Sequence, residues 1–80
     1  MNKLIKFSRE SCVPCKMLGN FLDEQGIVYE EIDVESDIET TVKYGVSGLP
    51  TLLLVDENGE VLDRVVGFNP PKAEEMASQL

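Results

Sequence analysis

Residues 51–55, Thr-Leu-Leu-Leu-Val, form a short run that is almost free of polar side chains. A strand with one face in water alternates apolar and polar residues, whereas a continuous apolar run is typical of a strand buried on both faces. Such a strand belongs in a sheet that other elements cover on each side. The run therefore predicts the central strand of a layered α/β domain.

The other strands can be recognised by composition and turn signals. Four segments have strand character, namely residues 3–7, 27–34, 51–55 and 60–66. The last two are joined through Asn58-Gly59, a typical turn of a tight antiparallel hairpin. The first two are separated by a helical segment, which predicts a parallel pair with a right-handed crossover. A mixed four-stranded sheet follows.

Helical periodicity or helix start signals appear in three segments. The first helix is predicted to begin at Val13 and to end before Gly26. The third opens at Pro70 and Pro71. The second covers residues 36–45, and its expected inward-facing side chains are Ile38, Val42 and Tyr44. The order β-α-β-α-β-β-α predicts an α/β fold with helices on both faces of the sheet.

The acidic composition excludes some classes of function. The 80-residue chain has a formal net charge of −8, which makes it a poor non-specific ligand for nucleic acid or anionic membranes. The charge is uneven, because residues 1–16 carry a net +3 from Lys3, Lys6, Arg9 and Lys16 against Glu10. The N-terminal residues become charged too early for a secretory signal. We expect a cytoplasmic monomer with no nucleic-acid or membrane partner.

Cys12 and Cys15 are the only cysteines, and their spacing allows three interpretations. A structural disulfide would close a loop of about 4 residues and stabilise the fold by only about 2 kcal/mol. A structural zinc site normally needs four ligands, but the chain has two cysteines and no histidine. Two-coordinate Cu(I), or a site shared between chains, remains possible. The third interpretation is a redox-active dithiol.

The residues around the pair favour the redox interpretation. Cys12 lies just before the predicted helix, where unpaired N–H groups and the positive end of the helix dipole favour a thiolate. Arg9 and Lys16 add positive charge, which lowers the pKa of a nearby thiol. Pro14 is tolerated there, because N–H groups in the first helical turn have no partners.

The Cys12-Val-Pro-Cys15 motif between a strand and a helix, followed by residues 43–61 (KYGVSGLPTLLLVDENGEV), resembles the thioredoxin family. The resemblance covers nearly the whole chain. The sequence lacks the strand and helix with which full-length thioredoxins begin. In length, and in the segment FSRESC, the chain is closer to small glutaredoxin-like proteins. The resemblance implies a minimal thioredoxin fold, with residues 1–80 as a single domain. It also implies thiol–disulfide oxidoreductase activity without a bound cofactor or metal.

The resemblance further implies roles for particular residues. Cys12 would be the nucleophile and Cys15 the resolving thiol, and together they would form the redox disulfide. Pro50 would follow a cis peptide bond, and the backbone of Leu49 would pair with an extended substrate. The mostly apolar docking surface would consist of Ser11, Val13, Pro14, Gly48, Leu49, Gly67 and Phe68.

The implied partners are proteins with exposed disulfides, among which ribonucleotide reductase is a candidate. The Gly-Gly-x-Asp pattern with which glutaredoxins bind glutathione is missing, since residues 65–71 are VVGFNPP. A thioredoxin-reductase-type flavoprotein is therefore the expected reductant. The alternative function is a thioredoxin-fold binding or metal-carrier module whose cysteines do not turn over.

The sequence departs from the family at Lys6, where thioredoxins have a buried aspartate. The lysine that accompanies this aspartate falls on Glu31, so the two charges are exchanged. If the pair lies beneath the cysteines, Lys6 favours the thiolate and Glu31 is a candidate base for Cys15. The alternative is that both side chains face solvent. A second departure is Ser11, which replaces the usual aromatic residue before the first cysteine.

Overall fold

The computed structural model describes residues 1–80 and contains the predicted order of elements. The strands are β1 (Lys3–Ser8), β2 (Glu30–Asp33), β3 (Thr51–Val55) and β4 (Val61–Val66), and the helices are α1 (Val13–Glu24), α2 (Ile38–Lys43) and α3 (Pro70–Ala77). None of these helices has the length and apolar character that a bilayer-spanning segment requires.

The four strands form one mixed sheet in the order β2-β1-β3-β4. β1 pairs in parallel with β2, as expected for strands that are joined through α1. β1 and β4 flank β3, and both pairings are antiparallel. Every residue of β3 is buried, which agrees with its unbroken apolar sequence. The predicted mixed four-stranded sheet is confirmed.

The two faces of the sheet pack against separate clusters. On one face, Leu4 of β1 and Leu52 of β3 pack with buried residues of α1 and α3, namely Leu18, Leu22, Ala73 and Met76. On the other face, Phe7 and Leu53 belong to a cluster that includes Tyr44 and Val46 at and just after the C-terminal end of α2. Because side chains alternate along β1, Lys6 lies on the same face as Leu4, toward α1.

The prediction for the second helix was wrong in part. Ile38 is 65% exposed and Val42 is 72% exposed, so neither faces the core. Residues four apart share one helical face, and in this six-residue helix that face is turned to water. Tyr44 does pack inward, with its ring centroid 6.0 Å from that of Phe7. The helix is therefore held at its C-terminal end.

Candidate redox site

The two cysteines lie at the start of α1, directly after the loop that follows β1. Cys12 is the N-cap residue, and its Sγ accepts a hydrogen bond from the backbone N–H of Cys15 at 3.2 Å. Pro14 occupies the first helical turn, where a missing N–H costs nothing. The Cα atoms of Cys12 and Cys15 are 5.2 Å apart, and the sulfurs are joined in a disulfide. The helix start thus holds the pair at bonding distance.

The two sulfur-bearing residues differ in their access to solvent. Cys12 is 8% exposed, whereas Cys15 is 1% exposed and lies beneath the first turn of α1. Val13 and Pro14 between them are exposed. A macromolecule that approaches this end of the helix therefore meets Cys12 first.

A groove of about 560 Å³ runs beside Cys12. Its other lining residues are Arg9, Ser11, Val13, Pro14, Ser47 and Leu49. We call it the Cys12 groove. Four predicted docking residues, Ser11, Val13, Pro14 and Leu49, lie in it. Arg9 was singled out from the sequence only for its charge, and Ser47 was not considered, although it directly precedes the Gly48-Leu49-Pro50 segment.

The Leu49–Pro50 peptide bond is cis, and Pro50 directly precedes β3. The carbonyl of Pro50 accepts a hydrogen bond from the N–H of Gly67 at 2.8 Å. Gly67 thus lies beside the proline but does not line the Cys12 groove. Gly48 packs against β4, because a Cβ there would meet Cγ1 of Val66 at 2.8 Å.

Phe68, the last of the predicted docking residues, does not line the Cys12 groove. It is partly buried and packs on Phe21 of α1, with ring centroids 6.3 Å apart. Its ring therefore extends the core between α1 and α3. Its place in the docking surface, which the family resemblance implied, stays a prediction.

Lys6 lies inside the protein, directly beneath the second cysteine. Its residue exposure is 4%, and its ammonium donates a hydrogen bond to the carbonyl of Cys15 at 3.2 Å. Nζ lies 2.9 Å from Oε2 of Glu31, the residue opposite Lys6 in the β1–β2 register. It also lies 5.4 Å from the ring centroid of Tyr29. The exchanged charges therefore form an ion pair under the disulfide.

Glu31 is the accessible member of this ion pair. Its side chain is 54% exposed, and it accepts a second hydrogen bond from Oγ of Ser8 at 2.9 Å. The hydrogen bond from Lys6 lowers the pKa of Glu31 below its usual range, partial burial opposes this shift, and the Ser8 bond adds to it. Glu31 is thus an ionised acceptor with access to water.

The ion pair borders a second cleft, of about 400 Å³, that opens beside Cys15. Most of its lining side chains are charged, and we call it the charged cleft; they are Lys6, Arg9, Glu10, Lys16, Glu31 and Asp33, together with Ser8. Ser8 is the last residue of β1 and directly follows the predicted strand 3–7. Its hydrogen bond to Glu31 was not predicted. No three His, Cys, Asp or Glu side chains are grouped so that they could hold a metal ion.

Gly19 of α1 makes room for the Lys6 ammonium. A Cβ at this position would lie 2.6 Å from Nζ of Lys6 and 3.4 Å from the hydroxyl of Tyr29. Neither Gly19 nor Tyr29 was identified from the sequence, because Gly19 of α1, Lys6 of β1 and Tyr29 just before β2 come together only in the folded chain. A glycine inside a predicted helix was the one signal available.

The chain is similar to known proteins over nearly its whole length. Residues 2–80 match the family described as Thioredoxin-like domain. The SPbeta prophage-derived thioredoxin-like protein YosR of Bacillus subtilis is 37% identical over 78 residues, with 98% of each chain covered. Thioredoxin of Staphylococcus epidermidis is 39% identical over 74 residues, which cover 85% of this chain and 70% of that protein. Reduced thioredoxin pre-protein of Schistosoma mansoni has a TM-score of 0.87 at 29% identity, covering 98% of this chain and 77% of that one.

Proposed function

Since the chain belongs to the thioredoxin family, we propose that it reduces protein disulfides through the Cys12/Cys15 dithiol. One observation carries the proposal. Cys12, the more exposed residue of the pair, caps α1 and lines the same groove as Leu49, so a disulfide in that groove would meet Cys12. The fold and the cysteine pair are those of a thiol–disulfide oxidoreductase, and the direction of electron flow is part of our proposal.

The first step is attack of the Cys12 thiolate on one sulfur of a partner disulfide. The partner S–S bond breaks as the bond between Cys12 and the partner forms, and the departing partner sulfur takes up a proton. The N–H of Cys15, 3.2 Å from the Cys12 sulfur, and the start of α1 favour the charged form of Cys12. Leu49 holds the extended partner segment through its backbone.

The second step releases the reduced partner. Cys15 loses its proton and attacks the Cys12 sulfur, and the second partner sulfur leaves as a thiolate that is protonated in turn. Two electrons have then passed to the partner, whose two thiols have gained two protons, one balanced by the proton that Cys15 releases and one taken from solvent. The protein carries the Cys12–Cys15 disulfide. In this scheme Cys12 is the nucleophile and Cys15 the resolving thiol.

Lys6 and Glu31 are assigned the control of thiol ionisation. The Lys6 ammonium, bound to the carbonyl of Cys15, stabilises negative charge on the sulfurs of the reduced state. Glu31 is ionised, lines the same cleft as Cys15 and reaches solvent, so it can take up the Cys15 proton directly or through a water. Because its pKa is lowered, Glu31 is a weak base and passes this proton on to water. Ser8 orients its carboxylate. Lys6 thereby supports the ionisation of Cys12 in the first step, and Glu31 supports the deprotonation of Cys15 in the second.

The remaining assignments concern the setting of the reaction. We propose that residues 1–80 act as one domain and a monomer in the cytoplasm, where a thioredoxin-reductase-type flavoprotein reopens the disulfide. Ribonucleotide reductase is one candidate partner among disulfide-containing proteins. The docking surface consists of Ser11, Val13, Pro14 and Leu49. Gly48, which packs against β4, and Gly67, which donates a hydrogen bond to Pro50, support it.

Insulin reduction with a recycling reductant tests this function. We expect the wild-type chain to accelerate insulin precipitation over dithiothreitol alone and Cys12→Ser to be inactive. Cys15→Ser should accumulate mixed disulfides with insulin, because the resolving thiol is missing. A fully reduced wild-type chain that leaves insulin intact would support the binding or metal-carrier module instead.

A further inference from the structure

Arg9 differs from most of the other cationic residues because its side chain makes no hydrogen bond or ion pair within the protein. It is exposed, and its guanidinium takes part in none of the ion pairs of the chain. By contrast, Arg64 donates to the carbonyl of Tyr44, and Lys72 bridges two carboxylates. The backbone of Arg9 is fixed, because its carbonyl accepts the N–H of Cys12 at 3.3 Å. The backbone of Arg9 is thus fixed next to Cys12, and its guanidinium is free to bind a partner.

Arg9 supplies the charge of the Cys12 groove. Among the residues that line this groove with Cys12, Arg9 is the only charged one. The others are serines, a proline and aliphatic side chains. Arg9 also lines the charged cleft, but the carboxylates of that cleft, Glu10 among them, do not line the groove beside Cys12. A segment that lies in the groove therefore meets one positive charge and no negative one.

The chemistry of the guanidinium determines what this charge can select. Its N–H donors form a planar fork that binds a carboxylate through two parallel hydrogen bonds. A lysine or arginine on the bound segment would be repelled by the same group. Neutral residues would leave the donors in contact with water alone. The fitting occupant is a segment with an aspartate or glutamate close to the attacked cysteine.

The net charge of the chain limits this selection to short range. At a net charge of −8, the protein as a whole repels an acidic partner. At physiological ionic strength this repulsion is screened beyond about 8 Å, whereas an ion pair in direct contact persists. The occupant is therefore defined by one local carboxylate and not by an acidic surface.

We propose that Arg9 is a specificity-determining residue that selects disulfides flanked by an acidic residue. This inference rests on the proposed function, since it concerns the substrate of the same dithiol. It adds the chemical class of segment that the groove accepts. Arg9 acts here by contact with the substrate, separately from any effect of its charge on the Cys12 thiolate.

The test uses three disulfide peptides that differ only beside the attacked cysteine, with Glu, Gln or Lys, reduced by the full chain at about 0.15 M salt. We expect kcat/KM for the Glu peptide to exceed that for the Gln peptide about two- to five-fold, the range of a single exposed ion pair. The Lys peptide should be the slowest. In Arg9→Gln the Glu-to-Gln ratio should fall to about 1. In Arg9→Lys an intermediate ratio should remain, because lysine keeps the charge but lacks the planar fork.

The ratio, and not the absolute rate, is the readout, because loss of Arg9 also changes the charge near Cys12. Lys3→Gln is the matched control. It removes one positive charge at the opposite end of β1, roughly 20 Å away along the strand, and should leave the ratio unchanged. Equal turnover of all three wild-type reactions, or a faster Lys peptide, would overturn the inference and leave the proposed function standing. Failure to reduce any peptide would overturn both.

Discussion

Two lysine–glutamate pairs join β1 to β2, and they differ in burial. Lys3 and Glu30 lie 3.2 Å apart with side chains that are 56% and 49% exposed. Lys6 and Glu31 lie 2.9 Å apart, but the Lys6 side chain is only 5% exposed while Glu31 is 54% exposed. The first pair is solvated on both sides. In the second, a buried cation depends on a carboxylate that can reach water.

This difference determines what each pair contributes. An exposed ion pair typically contributes between about 0.2 and 1 kcal/mol, because water and salt screen it. A buried ammonium has lost its hydration, so it must be satisfied by the carbonyl of Cys15 and by Glu31. The inner pair is therefore the one whose loss changes both stability and the electrostatics of the redox centre.

The largest expected effect comes from removing the acceptor of the buried cation. Glu31→Leu leaves the Lys6 ammonium with one neutral acceptor, so we expect it to lower the free energy of unfolding by about 3 kcal/mol. Glu30→Leu, the matched change in the outer pair, should cost about 0.5 kcal/mol or less. Urea denaturation of both variants measures the difference. Equal losses in the free energy of unfolding would show that the burial of Lys6 does not increase the contribution of its ion pair to stability.

The double variant Lys6→Met/Glu31→Leu sharpens the same comparison. Replacing both members of a buried pair by apolar residues is often neutral or stabilising. The double variant should therefore recover most of the stability that Glu31→Leu loses. Strictly additive losses from the two single variants would contradict the coupling between Lys6 and Glu31.

A second prediction concerns the space that Gly19 leaves for the ammonium. Gly19→Ala would place a Cβ 2.6 Å from Nζ of Lys6, which its two partners hold in place. We expect a loss of about 1–2 kcal/mol, because overpacking outweighs the gain of about 1 kcal/mol in helix propensity. In Lys6→Met the side chain ends one atom earlier, so the same change should become stabilising. Thermal unfolding of the four-variant cycle measures this reversal, and an unchanged sign would contradict it.

The limits of the sequence prediction follow from the same two regions. The apolar run Thr51–Val55 and the helix start at Val13 were predicted because their signals are local: composition, spacing and a proline in the first turn. The exchanged charges of Lys6 and Glu31 were recognised only by comparison with a family pattern. Their unequal burial depends on how α1 covers β1, which no local pattern contains.

The errors have physical causes of the same kind. Ile38 and Val42 have the spacing of a buried helical face, but a six-residue helix needs few contacts and is held by Tyr44 instead. For Phe68 the docking role stays a prediction, but its packing on Phe21 was not predicted from the sequence. Apolar character predicts that a side chain contacts something, and the tertiary structure decides what.

A smaller effect is expected in acid. The pKa of Glu31 is lowered in the folded state, first by its hydrogen bond from Lys6. The contribution of the pair is therefore complete above the unfolded pKa of about 4.3 and is lost as the pH falls through the lower folded pKa. The stability difference between wild type and Glu31→Gln should shrink as the pH is lowered from about 5 to about 3.

The control for this pH dependence is the comparison of Lys6→Met with Lys6→Met/Glu31→Gln. Because neither of these variants has the ammonium, their stability difference should change less over the same range. A wild-type difference that stays constant down to about pH 3 would mean that the ion pair does not favour the ionised form of Glu31 in the folded state.

The central claim is that the buried Lys6 cation, unlike the exposed Lys3 cation, acts on the reactive thiol. The most direct test is the pH dependence of Cys12 alkylation in the reduced protein, for wild type, Lys6→Met and Lys3→Met. We expect a wild-type midpoint below the usual thiol pKa of about 8.5, a rise of about 0.5–1 unit in Lys6→Met, and no change in Lys3→Met. The same midpoint in wild type and Lys6→Met would contradict the account.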